Sequence, residues 1–421
     1  MKKVIFSIIT TCALLTSVCT TGNAEINNKG ETVTTNSVTE SIPVPVLPKT
    51  SGSYQVGTTN FDWVDTSRKD LLTPDPNDNR ELMVQFWYPI DSGKGKVIEK
   101  YIPSTEKGIG QMITSKGFEK KFSDINKINT QSYKDGILSN KKAKYPIVLF
   151  SHGNMQSRWN YQTITRELAS HGFIVVSIEH SHYALGTEFT NGKFIPNDYQ
   201  PNFFDHKKDD ADMNQLWVKD IQFVISKLGQ LNLHEKTPNF KNRLDLNKIS
   251  AIGHSLGGAA AARALQVEPK IKSAIDIDGS LVGLSGKTGK MTKPFAFIKT
   301  EDHAKQLNGE IPQAVPENFR KQVEELFKLF STRYQQAVSG PAYDITIAGA
   351  THMNFSDSPL LQQYLSTPDY VVPHLAETKI TDINKLTNMV ILSFLEKTLN
   401  GKKNTILDVE NLQIPDLTIV Q

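Results

Sequence analysis

Apolar positions fall into short runs separated by amphipathic stretches over most of the chain. Leu82 to Tyr88 alternates toward strand character and stops at Pro89, whose ring cannot donate to a ladder. Tyr145 to Phe150 and Phe173 to Ile178 are continuous apolar runs of strand length, the pattern of strands buried on both faces. Between them, Tyr161 to His171 has helical spacing, and Gly172 suits a helix C-terminus. Trp217 to Leu228 predicts an amphipathic helix with Val218, Ile221, Val224, Ile225 and Leu228 on one face. Lys248 to Ile252 predicts a strand and Ala259 to Val267 a helix. Ile271 to Ile277, Phe295 to Ile298 and Tyr343 to Ile347 predict three more strands, and Ile380 to Leu399 a final helix near Gly401. Apolar strands alternating with helices predict an α/β fold with a mostly parallel sheet covered on both faces.

The ends of the chain read differently. Lys2 and Lys3 precede an apolar stretch, Val4 to Leu15, and Gly22-Asn23-Ala24 offers small residues for cleavage, so residues 1–24 read as an export signal. The expected location is secreted or periplasmic. A lipid anchor on Cys19 is the poorer match, because Val18 stands where a small residue is wanted. Residues 25–50 are rich in Asn, Thr and Ser and end in Pro43-Val44-Pro45-Val46-Leu47-Pro48, the composition of a disordered tether. Residues 51–401 are expected to form one catalytic domain and 402–421 a C-terminal extension.

Of 421 residues, 38% are hydrophobic and 22% charged, enough for a sizeable core. The formal charge of +3 gives no electrostatic reason to bind nucleic acid. The two cysteines, Cys12 and Cys19, fall inside the signal, which rules out a disulfide framework or a cysteine zinc site in the mature chain. No second long apolar run predicts a membrane span.

The candidate chemistry centres on Gly253-His254-Ser255-Leu256-Gly257. A predicted strand precedes it and an Ala-rich helix follows, the setting in which G-x-S-x-G carries a nucleophile on a tight strand-to-helix turn. Ser255 needs a base to activate it. Among ten histidines, His303, His352 and His374 come late enough in the chain, and His352 lies just beyond a predicted strand end; His374 is expected to be exposed. The acid that would orient His352 is left between Asp278 and Asp302, each at a strand end, and general layout favours the later strand and Asp302. Asp276 is expected to point away. The oxyanion donors expected are the backbone N–H groups of Leu256 and of Asn154, in Ser151-His152-Gly153-Asn154. His152 and His254 read as structural, and Glu179-His180 as a loop-anchoring ion pair rather than a metal site. Asp75-x-Asn77-x-Asn79 lacks the glycine and final acid of a calcium loop and reads as a turn. Residues 101–143 and 303–340, the latter with the amphipathic piece Val323 to Phe330, read as cap-like insertions or solvated surface. Trp159 reads as pocket wall or core.

Several separate motifs together resemble the platelet-activating factor acetylhydrolase family. They are Asp75 to Pro89, Phe150-Ser-His-Gly153, Leu168-Ala-Ser-His-Gly172, Glu179-His180, Gly253 to Gly258 and His352-Met-Asn-Phe355, in the family's order. The resemblance implies an α/β-hydrolase fold and a serine esterase that cleaves short or oxidised sn-2 acyl chains from phospholipids without calcium or cofactor. It implies an acid in a Leu-Asp pair ending the strand after the serine helix, which Ile277-Asp278 matches, and aligns the next strand's glutamate with Glu301. It thereby moves the assignment to Asp278. Gly279-Ser280 stands where animal members carry a bulkier aromatic pair, which opens substrate preference to general esters and polyesters. The expected partner is a small-molecule or lipid ester, met in transient contact with a lipid surface. A reading of another class, a non-catalytic surface binding protein on this scaffold, is opposed by the presence of both Ser255 and His352.

Overall fold

The computed structural model describes residues 44–111, 124–197, 199, 206–234, 240–284, 289–361, 377–410 and 412–421. The expected signal, most of the expected tether and His374 lie outside the described residues. In chain order the elements are β1 (Gln55–Lys69), β2 (Asn79–Ile90), β3 (Ser132–Lys134), β4 (Tyr145–Ser151), α1 (Gln162–Ser170), β5 (Ile174–Glu179), β6 (Gly186–Glu188) and β7 (Phe194–Pro196). Next come α2 (His206–Asp212), which continues through a π turn at Met213–Trp217 into α3 (Val218–Leu233), then β8 (Leu244–His254), α4 (Leu256–Val267) and β9 (Ile271–Ile277). The last are β10 (Phe295–Thr300), α5 (Glu301–Leu307), α6 (Glu317–Val338), β11 (Ala342–Ile347), α7 (Glu377–Asn400) and β12 (Leu417–Val420).

Ten strands form one sheet in the order β12-β11-β10-β9-β8-β4-β5-β2-β1-β3, with β6 and β7 as a separate hairpin. The six strands from β11 to β5 are all parallel to their neighbours, and β2 and β12 join antiparallel at either side of that block. Every residue of β4 is buried, and the pleat divides them between two cores. Tyr145, Ile147 and Leu149 pack with Trp217, Ile221 and Val224 of the α2–α3 segment and Ala259 to Ala262 of α4 on one face. Val148 and Phe150 pack with Ile164 and Leu168 of α1 and Val390 and Phe394 of α7 on the other. This double burial explains why the central strands read as unbroken apolar runs. It is the α/β-hydrolase arrangement, with strand ends β8, β9 and β11 delivering the candidate residues to one edge.

Two boundaries move. Leu47, inside the expected tether, is buried against Tyr101, Ile102, Ile109 and Trp159, so the packed body reaches back past residue 50. The expected C-terminal extension supplies β12, which pairs with β11 from Asp344↔Val420 to Ile347↔Leu417. The Val323 to Phe330 piece is part of the longer α6. Val323, Leu326 and Phe327 form a small cluster with Val315 at one end of it, while Ala337 at the other end joins the main core. Among the described residues, no helix is long and apolar enough to cross a membrane.

Candidate active site

The turn at Ser255 is strained in the way its motif predicts. Ser255 has φ 57° and ψ −122° between β8 and α4, and its N–H donates to Ile277 O at 2.8 Å. Close packing on both sides demands glycine. A Cβ on Gly253 would lie 2.1 Å from Gly257 O, and one on Gly257 would lie 2.2 Å from Ser151 O. The absence of side chains there lets the start of α4 press against the end of β4, which brings the Ser151–Asn154 loop beside the serine.

Asp278 follows β9 and is almost fully buried. Its Oδ2 accepts from His352 Nδ1 at 2.7 Å. Its other oxygen, Oδ1, receives His303 Nδ1 at 2.8 Å and Thr300 N–H at 3.0 Å. Burial works to raise this carboxyl's pKa, but the His303 imidazole, and after it His352, outweigh burial and hold it well below the usual carboxylate range. An ionised carboxylate only accepts, so Nδ1 of His352 carries a proton and the ring turns Nε2 away from Asp278. Asp302, the competing acid, sits on the outer side of α5 with Lys305 at 3.2 Å. Glu301 accepts from the N–H of Gly349 at 2.9 Å. Asp276 is buried and turned under the loop, where it accepts from Gly279 N–H at 2.8 Å.

His352 opens a short 3₁₀ turn, His352–Phe355, closed by Asn354 Oδ1, which accepts from both the N–H and the hydroxyl of Thr351 at 2.7 and 2.8 Å. A residue that sequence reasoning missed fixes this turn to the body. Asp357 reaches the N-terminus of α1 and accepts from Gln162 N–H, Thr163 N–H, the Thr163 hydroxyl and the Tyr101 hydroxyl at 2.7–3.0 Å. Only the α1 apolar pattern was visible in the chain; nothing local marks an acid about two hundred residues away as its cap.

A polar relay links the serine turn, His352 and the Ser151–Asn154 loop. His352 O can only accept, so His254 Nε2, 2.9 Å away, carries a proton. Burial, with His352 nearby, holds the His254 imidazole neutral, well below its ordinary pKa, so its Nδ1 accepts from the Tyr161 hydroxyl at 3.0 Å. The same hydroxyl accepts the Gly153 N–H at 2.9 Å. The His254 and His352 rings lie 4.4 Å apart. Among the described residues no hydrogen bond joins the Ser255 hydroxyl to His352. The two are brought to the same edge through His254, and such contacts commonly close only with substrate bound.

The Ser151–Asn154 loop, the expected oxyanion loop, leaves the Asn154 N–H open among the described residues. Gly153 N–H is taken by Tyr161 and Met155 N–H by Tyr183 O at 2.8 Å, with the Asn154 N–H between them given no acceptor among the described residues. The Leu256 N–H, at the first position of α4, is likewise free of an intrahelical partner. Behind the loop, His152 Nδ1 meets Gly153 O at 2.7 Å and its Nε2 accepts from His180 N–H at 3.0 Å. Burial, with His180 close by, lowers the His152 pKa to about 3, so it is a neutral packing group. The expected Glu179–His180 pair is corrected. Glu179 pairs with buried Arg158 at 2.6 Å, and His180 lies between Asp220 at 3.0 Å and the Ser151 hydroxyl at 3.1 Å, with Arg80 closing on Asp220 at 2.7 Å. The two adjacent side chains anchor the loop through different partners. Trp159 is core, edge-on to Tyr101. Asn77 N–H closes on Asp75 Oδ1 at 2.8 Å as a turn before β2.

Beside Leu256 and Ser280 lies a cavity of about 30 Å³ walled by Tyr183, Tyr199, Met213 and Trp217 among others. That is room for a methyl-sized group. The ensemble has the layout of an acyl-transfer site, with a hydroxyl on a strained turn, an oriented imidazole, a buried anion behind it and two open N–H donors.

Residues 40–413 match the family model of platelet-activating factor acetylhydrolase, isoform II. The platelet-activating factor acetylhydrolase of Canis lupus familiaris is 26% identical over 62% of this chain and 59% of its own length. That of Cavia porcellus is 27% identical over 66% and 64%. A probable 1-alkyl-2-acetylglycerophosphocholine esterase of Arthroderma benhamiae is 26% identical over 60% and 64%. The chain thus spans about three-fifths of the length of these curated relatives. Among solved structures, a ferulic acid esterase from Streptomyces cinnamoneus superposes with a TM-score of 0.64 at 20% identity, covering 90% of this chain and all of the esterase chain. It shares the fold.

Proposed function

The chain belongs to the platelet-activating factor acetylhydrolase, isoform II, family, and from that premise we propose that it is a serine ester hydrolase acting on short or oxidised acyl esters, including sn-2 acyl groups of phospholipids. The observation that carries the reading is the 2.7 Å contact from Asp278 to His352 beside the strained Ser255 turn. Ser255 Oγ attacks the ester carbonyl while His352 Nε2 takes its proton. Asp278 holds the imidazolium that forms, and the developing oxyanion receives the N–H groups of Leu256 and Asn154. His352 then hands the proton to the leaving alkoxide, and water, deprotonated by the same nitrogen, releases the acyl group from Ser255. The small cavity beside Leu256 and Ser280 supports short acyl groups.

The test is direct. Ser255→Ala should keep the wild-type melting temperature, lose turnover of short-chain p-nitrophenyl esters and lose labelling by a fluorophosphonate; retained turnover removes Ser255 from the mechanism. A panel of phospholipid, triglyceride, polyester and soluble esters assigns the substrate class. We further read residues 1–24 as an export signal. Protein recovered outside the cytoplasm should then begin at Glu25, and an intact N-terminus there refutes the reading.

A further inference from the structure

Asp278 has two carboxylate oxygens, and only one faces His352. The rotation that swings a carboxylate about its Cβ–Cγ bond is soft, so a single contact does not fix its plane. Here the second oxygen is held from the opposite side by His303 Nδ1 at 2.8 Å and by Thr300 N–H at 3.0 Å. His303 is itself well fixed. It lies in the first turn of α5, its own N–H donates to the capping hydroxyl of Thr300 at 3.1 Å, and its ring meets Phe297 edge-on at 5.6 Å. Its side chain is only 12% exposed, so water competes little for the Asp278 oxygen. The acid is therefore bracketed by two imidazoles, one facing the serine turn and one facing α5.

We propose that His303 is a positioning residue for ester hydrolysis: its Nδ1–H fixes the plane of the Asp278 carboxylate so that Oδ2 points at His352. The inference rests on Asp278 being the acid of the proposed mechanism. It concerns orientation, so loss of the donor should lower kcat and leave KM nearly unchanged.

Two substitutions separate this role from simple packing. His303→Asn keeps an N–H donor at the same number of bonds from the backbone but leaves space beside Phe297. His303→Phe fills the space and removes the donor. A positioning role predicts that the Asn variant keeps kcat within about threefold, while the Phe variant loses about ten- to a hundredfold with KM within about twofold. A packing role predicts the reverse order. Short-chain p-nitrophenyl ester kinetics read the result, with melting temperatures taken on each variant; should the Phe variant not fold, His303→Leu replaces it. The low-field proton resonance of His352 Nδ1–H gives a second measure: it should persist in the Asn variant and broaden in the donor-free one. A donor-free variant with wild-type kcat, or an Asn variant as slow as Phe, overturns the proposal. Asp278→Asn distinguishes the failures. If it is inactive while the His303 variants are normal, only the His303 role falls; if it is fully active, the acid assignment falls first.

Discussion

At the scale of single residues, what separates Asp278 from Asp302 is what each carboxylate touches. Both stand at strand ends, and the general layout of such sheets favours Asp302. The difference is tertiary: Asp278 is buried between His352, His303 and Thr300 N–H, whereas Asp302 is only half-buried and meets Lys305. Removing the Asp278 charge should both misorient His352 and permit the wrong tautomer. Asp278→Asn should therefore lower kcat by about 10³–10⁴ with the fold intact, and Asp302→Asn should change it by less than about twofold. Steady-state kinetics on the pair decide it, and an active Asp278→Asn enzyme would return the choice to Asp302. The placement of Ser255 and His352 at one sheet edge was legible because the elbow is a local pattern and His352 follows a late apolar strand. His303 was visible only as one of several late histidines, since nothing near it in the chain reports that its ring reaches back to Asp278.

At the scale of elements, legibility followed burial. β4, β5, β8, β9 and β10 are covered on both faces and announce themselves as apolar runs. β1 escaped because Gln55–Lys69 is interrupted by Thr, Asp and other polar residues and much of it is only partly buried. β12 escaped because Leu417–Val420 is too short to show a period. The serine turn joins two such elements, and its glycines hold it closed rather than flexible. Gly253→Ala would drive a methyl group to 2.1 Å from the Gly257 carbonyl, and that atom belongs to the first turn of α4, which cannot yield without moving Ser255. The expected cost is on the order of 3 kcal/mol, seen as a lowered melting temperature, together with loss of fluorophosphonate labelling. Full labelling at the wild-type rate would show that the turn has slack the packing does not suggest.

Across the whole molecule, the same burial that builds the site makes the fold sensitive to acid. His152, His180 and His254 are fully buried, and in each desolvation is the largest cause lowering the pKa, with the value falling to about 3 for His152. An unfolded histidine titrates near about 6.5. Between those values the unfolded chain holds a proton that the folded His152 refuses, so stability falls as pH drops through that window. At pH 5 His152 alone should cost about 2 kcal/mol. Asp70, lowered to about 2, and Asp278 add their own loss below about pH 4, as the unfolded carboxylates take up protons first. Glu179, Asp276 and Asp357 act the other way, because burial raises their pKa and lets the folded state take a proton earlier. The total slope therefore mixes both signs, and a difference measurement isolates His152. His152→Gln keeps an acceptor for the His180 N–H but cannot titrate. Its melting temperature should fall less than the wild type's between pH 7 and pH 5, and parallel curves would mean that His152 is not held neutral in the fold.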